Sequence, residues 1–135
     1  PANVTDLQRK ICENLMSAVG DVVWLTDEGQ LDAVTAVSGS GPAYVFLFAE
    51  AMTAAGIEAG LPPRLAAELA RKTIAGSGQM LGTLADPPEL LRKNVTSPGG
   101  TTAAALDVLM GEGGLQKLIS RAVSAAAARS RELAK

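Results

Sequence analysis

Asp21-Val22-Val23-Trp24-Leu25-Thr26 is the one convincing run of β-formers in this chain, rich in the β-branched and aromatic side chains that suit a pleated surface. A lone strand cannot satisfy its own backbone N–H and C=O groups, so a sheet needs partners. No second strand offers itself on either side. The run is therefore expected to be a remnant strand whose sheet lies in another chain or in a segment outside this one. Everything around it reads as helix. Upstream, Leu7, Ile11, Leu15, Met16 and Val19 recur at helical spacing over 5–19, with Thr5 as N-cap and Gly20 as stop. Downstream, a short apolar helix is expected over 31–37, then a tight turn at Ser38-Gly39-Ser40-Gly41-Pro42 and a long helix from Pro42 to Gly56 or Ala59. A further helix spans 62–84. Asp86-Pro87-Pro88-Glu89 then reads as an N-cap, two prolines in a first turn and a glutamate reaching back, opening a helix that ends near Lys93. The last two helices are expected over 98–110 and from Leu115 onward. The fold class is thus all-α, a helical bundle preceded by a remnant helix and strand. No period of about 20–50 residues is present, which excludes a helical repeat array.

The bulk numbers narrow the function classes. The 135 residues are 47% hydrophobic and 19% charged, as in globular proteins rather than disordered ones. A net charge of −2 argues against a nucleic-acid partner, which needs a basic face. No uncharged apolar run of about 18 residues is seen, so no membrane span is expected. Pro1-Ala2-Asn3-Val4 has neither a cationic start nor an apolar run, so it is no signal peptide. The absence of an initiator Met fits processing or a piece of a longer chain equally well. There is no histidine and a single cysteine, Cys12, so neither an internal disulfide nor a Cys/His metal site can form. Cys12 sits in a helical pattern and reads as a small buried apolar group. Chemistry here must use hydroxyls, backbone groups, charged side chains or a cofactor.

Alanine-rich helices such as Arg121-Ala122-Val123-Ser124-Ala125-Ala126-Ala127-Ala128-Arg129, with only 3% aromatics overall, bury little area per residue. They are expected to gain stability by interlocking with a second subunit, as a two-fold dimer. The competing expectation is a compact monomeric bundle.

The chemistry concentrates in Asn94-Val95-Thr96-Ser97-Pro98-Gly99-Gly100-Thr101-Thr102-Ala103-Ala104-Ala105-Leu106. Ser97 fits an N-cap and Pro98 the first helical position. Two glycines in a first turn each cost roughly 1 kcal/mol relative to alanine, which a purely structural helix start has no reason to accept. Glycine lets a ligand lie directly on the backbone. The N–H groups of Gly99, Gly100 and Thr101 lack helical acceptors, and the helix dipole adds positive potential. The segment therefore suits a carboxylate or phosphate, with the Thr101 and Thr102 hydroxyls beside it; a tight helix–helix crossing is the structural alternative. Ser38-Gly39-Ser40-Gly41-Pro42-Ala43-Tyr44 repeats the grammar more weakly. Neither segment is a dinucleotide fingerprint, since no G-x-G-x-x-G follows a strand.

Leu31-Asp32-Ala33-Val34-Thr35-Ala36-Val37-Ser38-Gly39-Ser40-Gly41-Pro42-Ala43-Tyr44 and Val95-Thr96-Ser97-Pro98-Gly99-Gly100-Thr101-Thr102, in that order and separation, closely resemble the pyrroline-5-carboxylate reductases. The ending, from Gly113-Gly114-Leu115 through Arg129-Ser130-Arg131-Glu132-Leu133, resembles that family's final helix, so the likeness spans the chain. It implies that residues 1–26 are the end of an N-terminal Rossmann domain and residues 27–135 a helical dimerisation and substrate-binding domain that intertwines with its twin. The implied activity is that of a cytoplasmic oxidoreductase of proline biosynthesis, moving hydride from NADPH or NADH to the imine carbon of 1-pyrroline-5-carboxylate to give L-proline. The cofactor would be bound mainly by the Rossmann domain outside this chain, so the isolated chain is expected to be inactive. Partners implied are the small-molecule substrate and a homodimer or higher homo-oligomer, with no nucleic acid and no membrane.

Carried over by position, Ser97, Gly99, Gly100, Thr101 and Thr102 would hold the substrate carboxylate and ring. Thr102 resembles the catalytic threonine whose hydroxyl meets the ring nitrogen, Val95 a residue lining the pocket, and Asn94 an asparagine near the cofactor. Thr101 departs from members that carry alanine there, which leaves the direction of its side chain open. The chemistry agrees: a small anion with an imine needs a carboxylate clamp, support at nitrogen, and a hydride source over one ring face. A threonine hydroxyl is too weakly acidic to protonate the imine unaided, which makes water or an already protonated iminium the proton source. Two other readings compete. One is a non-catalytic dimerisation module on the same scaffold. The other is a related NADP-dependent dehydrogenase of small hydroxy acids, which would lean on a lysine; Lys72 and Lys93 are the mid-chain choices, and both read as solvated side chains.

Overall fold

The computed structural model describes residues 4–134. They form α1 (Asp6–Met16), a 3-10 turn (Glu28–Gln30), α2 (Leu31–Val34), a π-helical turn (Thr35–Gly39), α3 (Gly41–Glu58), α4 (Pro63–Thr83), α5 (Pro88–Asn94), α6 (Thr101–Leu109) and α7 (Leu115–Leu133). The chain divides into two compact units between Leu31 and Asp32.

In the first unit, Thr5 opens α1 through a reciprocal cap. The Gln8 N–H donates to Thr5 Oγ1 (3.3 Å) while the Thr5 N–H donates to Gln8 Oε1 (2.9 Å), so two orphan donors are satisfied at once. The Arg9 guanidinium lies 4.3 Å from the centroid of the Trp24 ring, a cation–π pairing. Two expectations fail here. Residues 21–25 form no strand among the described residues, because no neighbouring strand supplies the ladder. Cys12 is exposed rather than buried. The apolar side chains nearby, Ile11 and Leu15, are exposed with it, and nothing in the unit covers them.

In the second unit, α3 and α4 form a helical hairpin. Gly60 sits at φ +100 in the connection, a conformation that suits glycine alone. At the seam, a Cβ added to Gly56 would meet the Ala66 Cβ at 3.3 Å. This close approach is what buries Ala66 and Ala70. α7 packs on the π turn, where Ala36 is fully buried against it and Ala127 is nearly so. These four alanines are the whole buried hydrophobic core of the described residues. Alanine removes little apolar area from water, and stabilisation scales with that area.

The larger apolar side chains stay outside. Phe46 is 66% exposed and Leu47 64% exposed on α3, whose consecutive Val45, Phe46, Leu47 and Phe48 make it apolar on every face. The tight turn expected at residues 38–42 is absent. The chain instead stays helical from Glu28 to Glu58, widening into the π turn ahead of Pro42. A proline inside a regular α-helix lacks its N–H and collides with the carbonyl four residues back; an i→i+5 turn relieves that collision. The Ser40 N–H accordingly donates to the Thr35 carbonyl at 2.9 Å. Fused in this way, the run Glu28–Glu58 is long and apolar enough, by length and composition, to cross a membrane, with a mean hydropathy of 1.2 over an 18-residue window. The expectation of no span rested on the lack of an uncharged run of about 18 residues, and Asp32 and Glu50 do bound the uncharged stretch here.

Candidate functional site

α5 and α6 flank the Ser97–Gly100 turn. α5 opens at Pro88 behind Pro87, which has no side chain able to cap. Asp86 is not the N-cap expected of it, because the two prolines shift the helix start beyond its reach. At the other end, Thr96 folds back, its N–H donating to the Lys93 carbonyl (3.1 Å) and its hydroxyl to the Arg92 carbonyl (2.7 Å). This closes the last carbonyls of α5 and directs the chain into the glycine pair.

The turn corrects the expected helix start. Ser97 is not the N-cap and Pro98 is not in the helix. The Ser97 carbonyl instead accepts the Gly100 N–H at 3.0 Å, with Gly99 at φ +70 between them. Gly100 is the extended N-cap residue, φ −81 and ψ 175. A Cβ there would stand 3.2 Å from the Ser97 carbonyl oxygen, so a side chain would require the turn to give by a few tenths of an ångström. The first helical hydrogen bond to this cap runs from the Ala104 N–H to the Gly100 carbonyl at 3.2 Å. The amides free of backbone acceptors at the head of α6 are therefore those of Thr101, Thr102 and Ala103. Of the expected set of Gly99, Gly100 and Thr101, the Gly100 N–H is taken by the Ser97 carbonyl, and Thr102 and Ala103 join the open amides. Three converging N–H groups at a helix start attract an anion. The Thr101 and Thr102 hydroxyls stand on the same turn.

Asn94, Val95, Ser97, Gly99, Thr101 and Thr102 are exposed, and Gly100 is half-buried. The residues singled out from sequence are thus brought together on one open turn, without walls from this chain. Lys72 pairs with Glu68 at 2.6 Å on the surface, and Lys93 is exposed, as expected of solvated lysines. Sequence reasoning passed over Arg92. With Glu89, Lys93, Thr96 and Leu106 it lines a cavity of about 330 Å³ beside the turn; the signal was the pair of cations in the last turn of α5. The Ser38–Tyr44 segment belongs to the π turn, which packs against α7, and to the start of α3.

An all-helical domain with open amides at a glycine-opened helix start and an uncovered apolar surface is the class that fold and site define. The chain belongs to the family described as pyrroline-5-carboxylate reductase dimerisation, whose model matches residues 28–133. A pyrroline-5-carboxylate reductase of Pseudomonas aeruginosa is 47% identical over 98% of this chain and 48% of its own length. The enzyme of that name from Arabidopsis thaliana is 45% identical over 96% of this chain and 46% of its own. The chain spans about half the length of the curated relatives it matches. Among solved structures, a pyrroline-5-carboxylate reductase from Coxiella burnetii superposes with a TM-score of 0.92 at 40% identity, covering all of this chain and 50% of that one. A Plasmodium falciparum pyrroline carboxylate reductase with NADP bound gives 0.82 at 33% identity, covering all of this chain and 51% of that one.

Proposed function

We propose that this chain is the dimerisation and substrate-holding part of a cytoplasmic pyrroline-5-carboxylate reductase of proline biosynthesis. The observation that carries this is the row of open amides at Thr101, Thr102 and Ala103 in a member of that family. They would grip the carboxylate of 1-pyrroline-5-carboxylate, with Ser97, Gly99 and Gly100 shaping the turn beneath it and Val95 against the ring. The Thr102 hydroxyl would meet the ring nitrogen and orient it as hydride arrives at the imine carbon and a proton from water, or one already present on an iminium, completes the amine. When bound, NADPH or NADH supplies that hydride. No G-x-G-x-x-G fingerprint follows a strand in this sequence, and the cofactor would be held mainly by a Rossmann domain outside this chain. Residues 1–26 would be the end of that domain, and Asn94 would stand near the cofactor.

The exposed apolar helices support a homodimer. A four-alanine core leaves much of α3 uncovered away from its seam with α4, and a second copy would bury it. That accounts for the apolarity of Glu28–Glu58 without a membrane.

Thr102→Ala in the full-length enzyme tests the site. Losing one hydrogen bond to a polar or charged substrate group lowers kcat/KM by roughly 10- to 100-fold. Unchanged kinetics would favour a dimerisation module with its chemistry elsewhere.

A further inference from the structure

The π turn leaves a debt in hydrogen bonding at its core. Ala36 is fully buried, and a buried carbonyl needs a donor. In a regular α-helix the Ser40 N–H would serve it. Here that N–H goes to Thr35 instead, at 2.9 Å, and so does not close on the Ala36 carbonyl. The half-buried Tyr44 hydroxyl does, reaching back eight residues to donate at 3.1 Å. Two more groups conform to the widened register. The Ser38 hydroxyl donates to the Val34 carbonyl at 2.8 Å, and Pro42, which has no N–H to offer, stands where an α-helical donor to Ser38 would be.

We infer that Tyr44 is a latch that holds Thr35–Gly39 in its π register and so fixes the rotational phase of α2 relative to α3. π turns inside helices are uncommon and concentrate at functional positions. Reverting to α would advance the register by one residue, about 100° of rotation. It would also carry Ala36 out of its seat against α7. Without the hydroxyl the π register would leave a buried carbonyl unpaired, so the Tyr44 donor removes a penalty that only the π register carries. The inference stands on the hydrogen bonding alone and is independent of the activity proposed above.

Tyr44→Phe in the full-length protein, followed by peptide-resolved amide hydrogen exchange, tests it. The Phe variant keeps the ring and loses only the donor. Exchange over residues 35–41 is expected to rise about ten-fold, with α4 and the second half of α3 within two-fold of the wild type. The double variant Tyr44→Phe, Pro42→Ala, which restores the α-helical donor, is expected to return exchange over that stretch toward the wild-type rate. Unchanged exchange over 35–41 in Tyr44→Phe would overturn the latch. So would a uniform rise along α3, α4 and α7, or a failure to fold, since either would make Tyr44 a general support.

Discussion

Gly99 and Thr102 show how differently two neighbouring positions do their work. Gly99 acts through its backbone. At φ +70 it reverses the chain so that the Ser97 carbonyl can take the Gly100 N–H. A Cβ at Gly99 would meet nothing within 4 Å, so Gly99→Ala tests conformation without steric clash. Holding alanine in the left-handed region costs roughly 1–2 kcal/mol, and denaturant unfolding should show a loss of that size. A neutral substitution would mean that the turn is not held as described. Thr102 offers an exposed hydroxyl and an open amide, which is why it is the position proposed to touch substrate. Sequence alone singled out both residues, because paired glycines after Ser-Pro have no structural motive at a helix start. It counted the Gly100 amide among the open ones, although the Ser97 carbonyl takes it. Ser-Pro normally reads as cap and first residue, and only the positive φ at Gly99 turns Ser97 into an acceptor and moves the cap to Gly100.

Among the elements, α4 and α7 run close to where periodicity put them, at Pro63–Thr83 and Leu115–Leu133, since long amphipathic repeats bounded by Pro or Gly leave little choice. α1 starts at its expected cap, Thr5. Thr5→Ala removes the hydroxyl from the reciprocal pair with Gln8 and costs about 1 kcal/mol. In an 11-residue helix that is marginal alone, amide exchange over residues 6–10 should quicken about five-fold; no change would show that the cap is not what starts α1. Two elements were illegible. The π turn carries Ser, Gly and Pro, the letters of a tight turn, and nothing local in them records that a tyrosine hydroxyl will satisfy the carbonyl left over. Residues 21–26 carry a strand's letters, but a ladder is a property of two segments and only one is here.

For the whole molecule, the decisive quantity is how little the described residues bury. A core of Ala36, Ala66, Ala70 and Ala127 cannot offset the ordering of seven helices. Exposed apolar surface of this extent marks an interface. Alanine richness made that legible in the sequence, although not that Phe46 and Leu47 on α3 would both be more than 60% exposed. Phe46→Asp in the full-length protein is expected to convert a dimer to monomers in light scattering and to abolish most activity. A mass unaffected by the charge would remove α3 from the interface.

The proposed carboxylate grip at the head of α6 is tested most directly by a crystal structure of the full-length enzyme with L-proline bound. The account predicts proline's carboxylate oxygens within hydrogen-bonding distance of the Thr101, Thr102 and Ala103 amides, and the ring nitrogen at the Thr102 hydroxyl. A carboxylate seated elsewhere, with those amides turned to water or to another protein group, would contradict it.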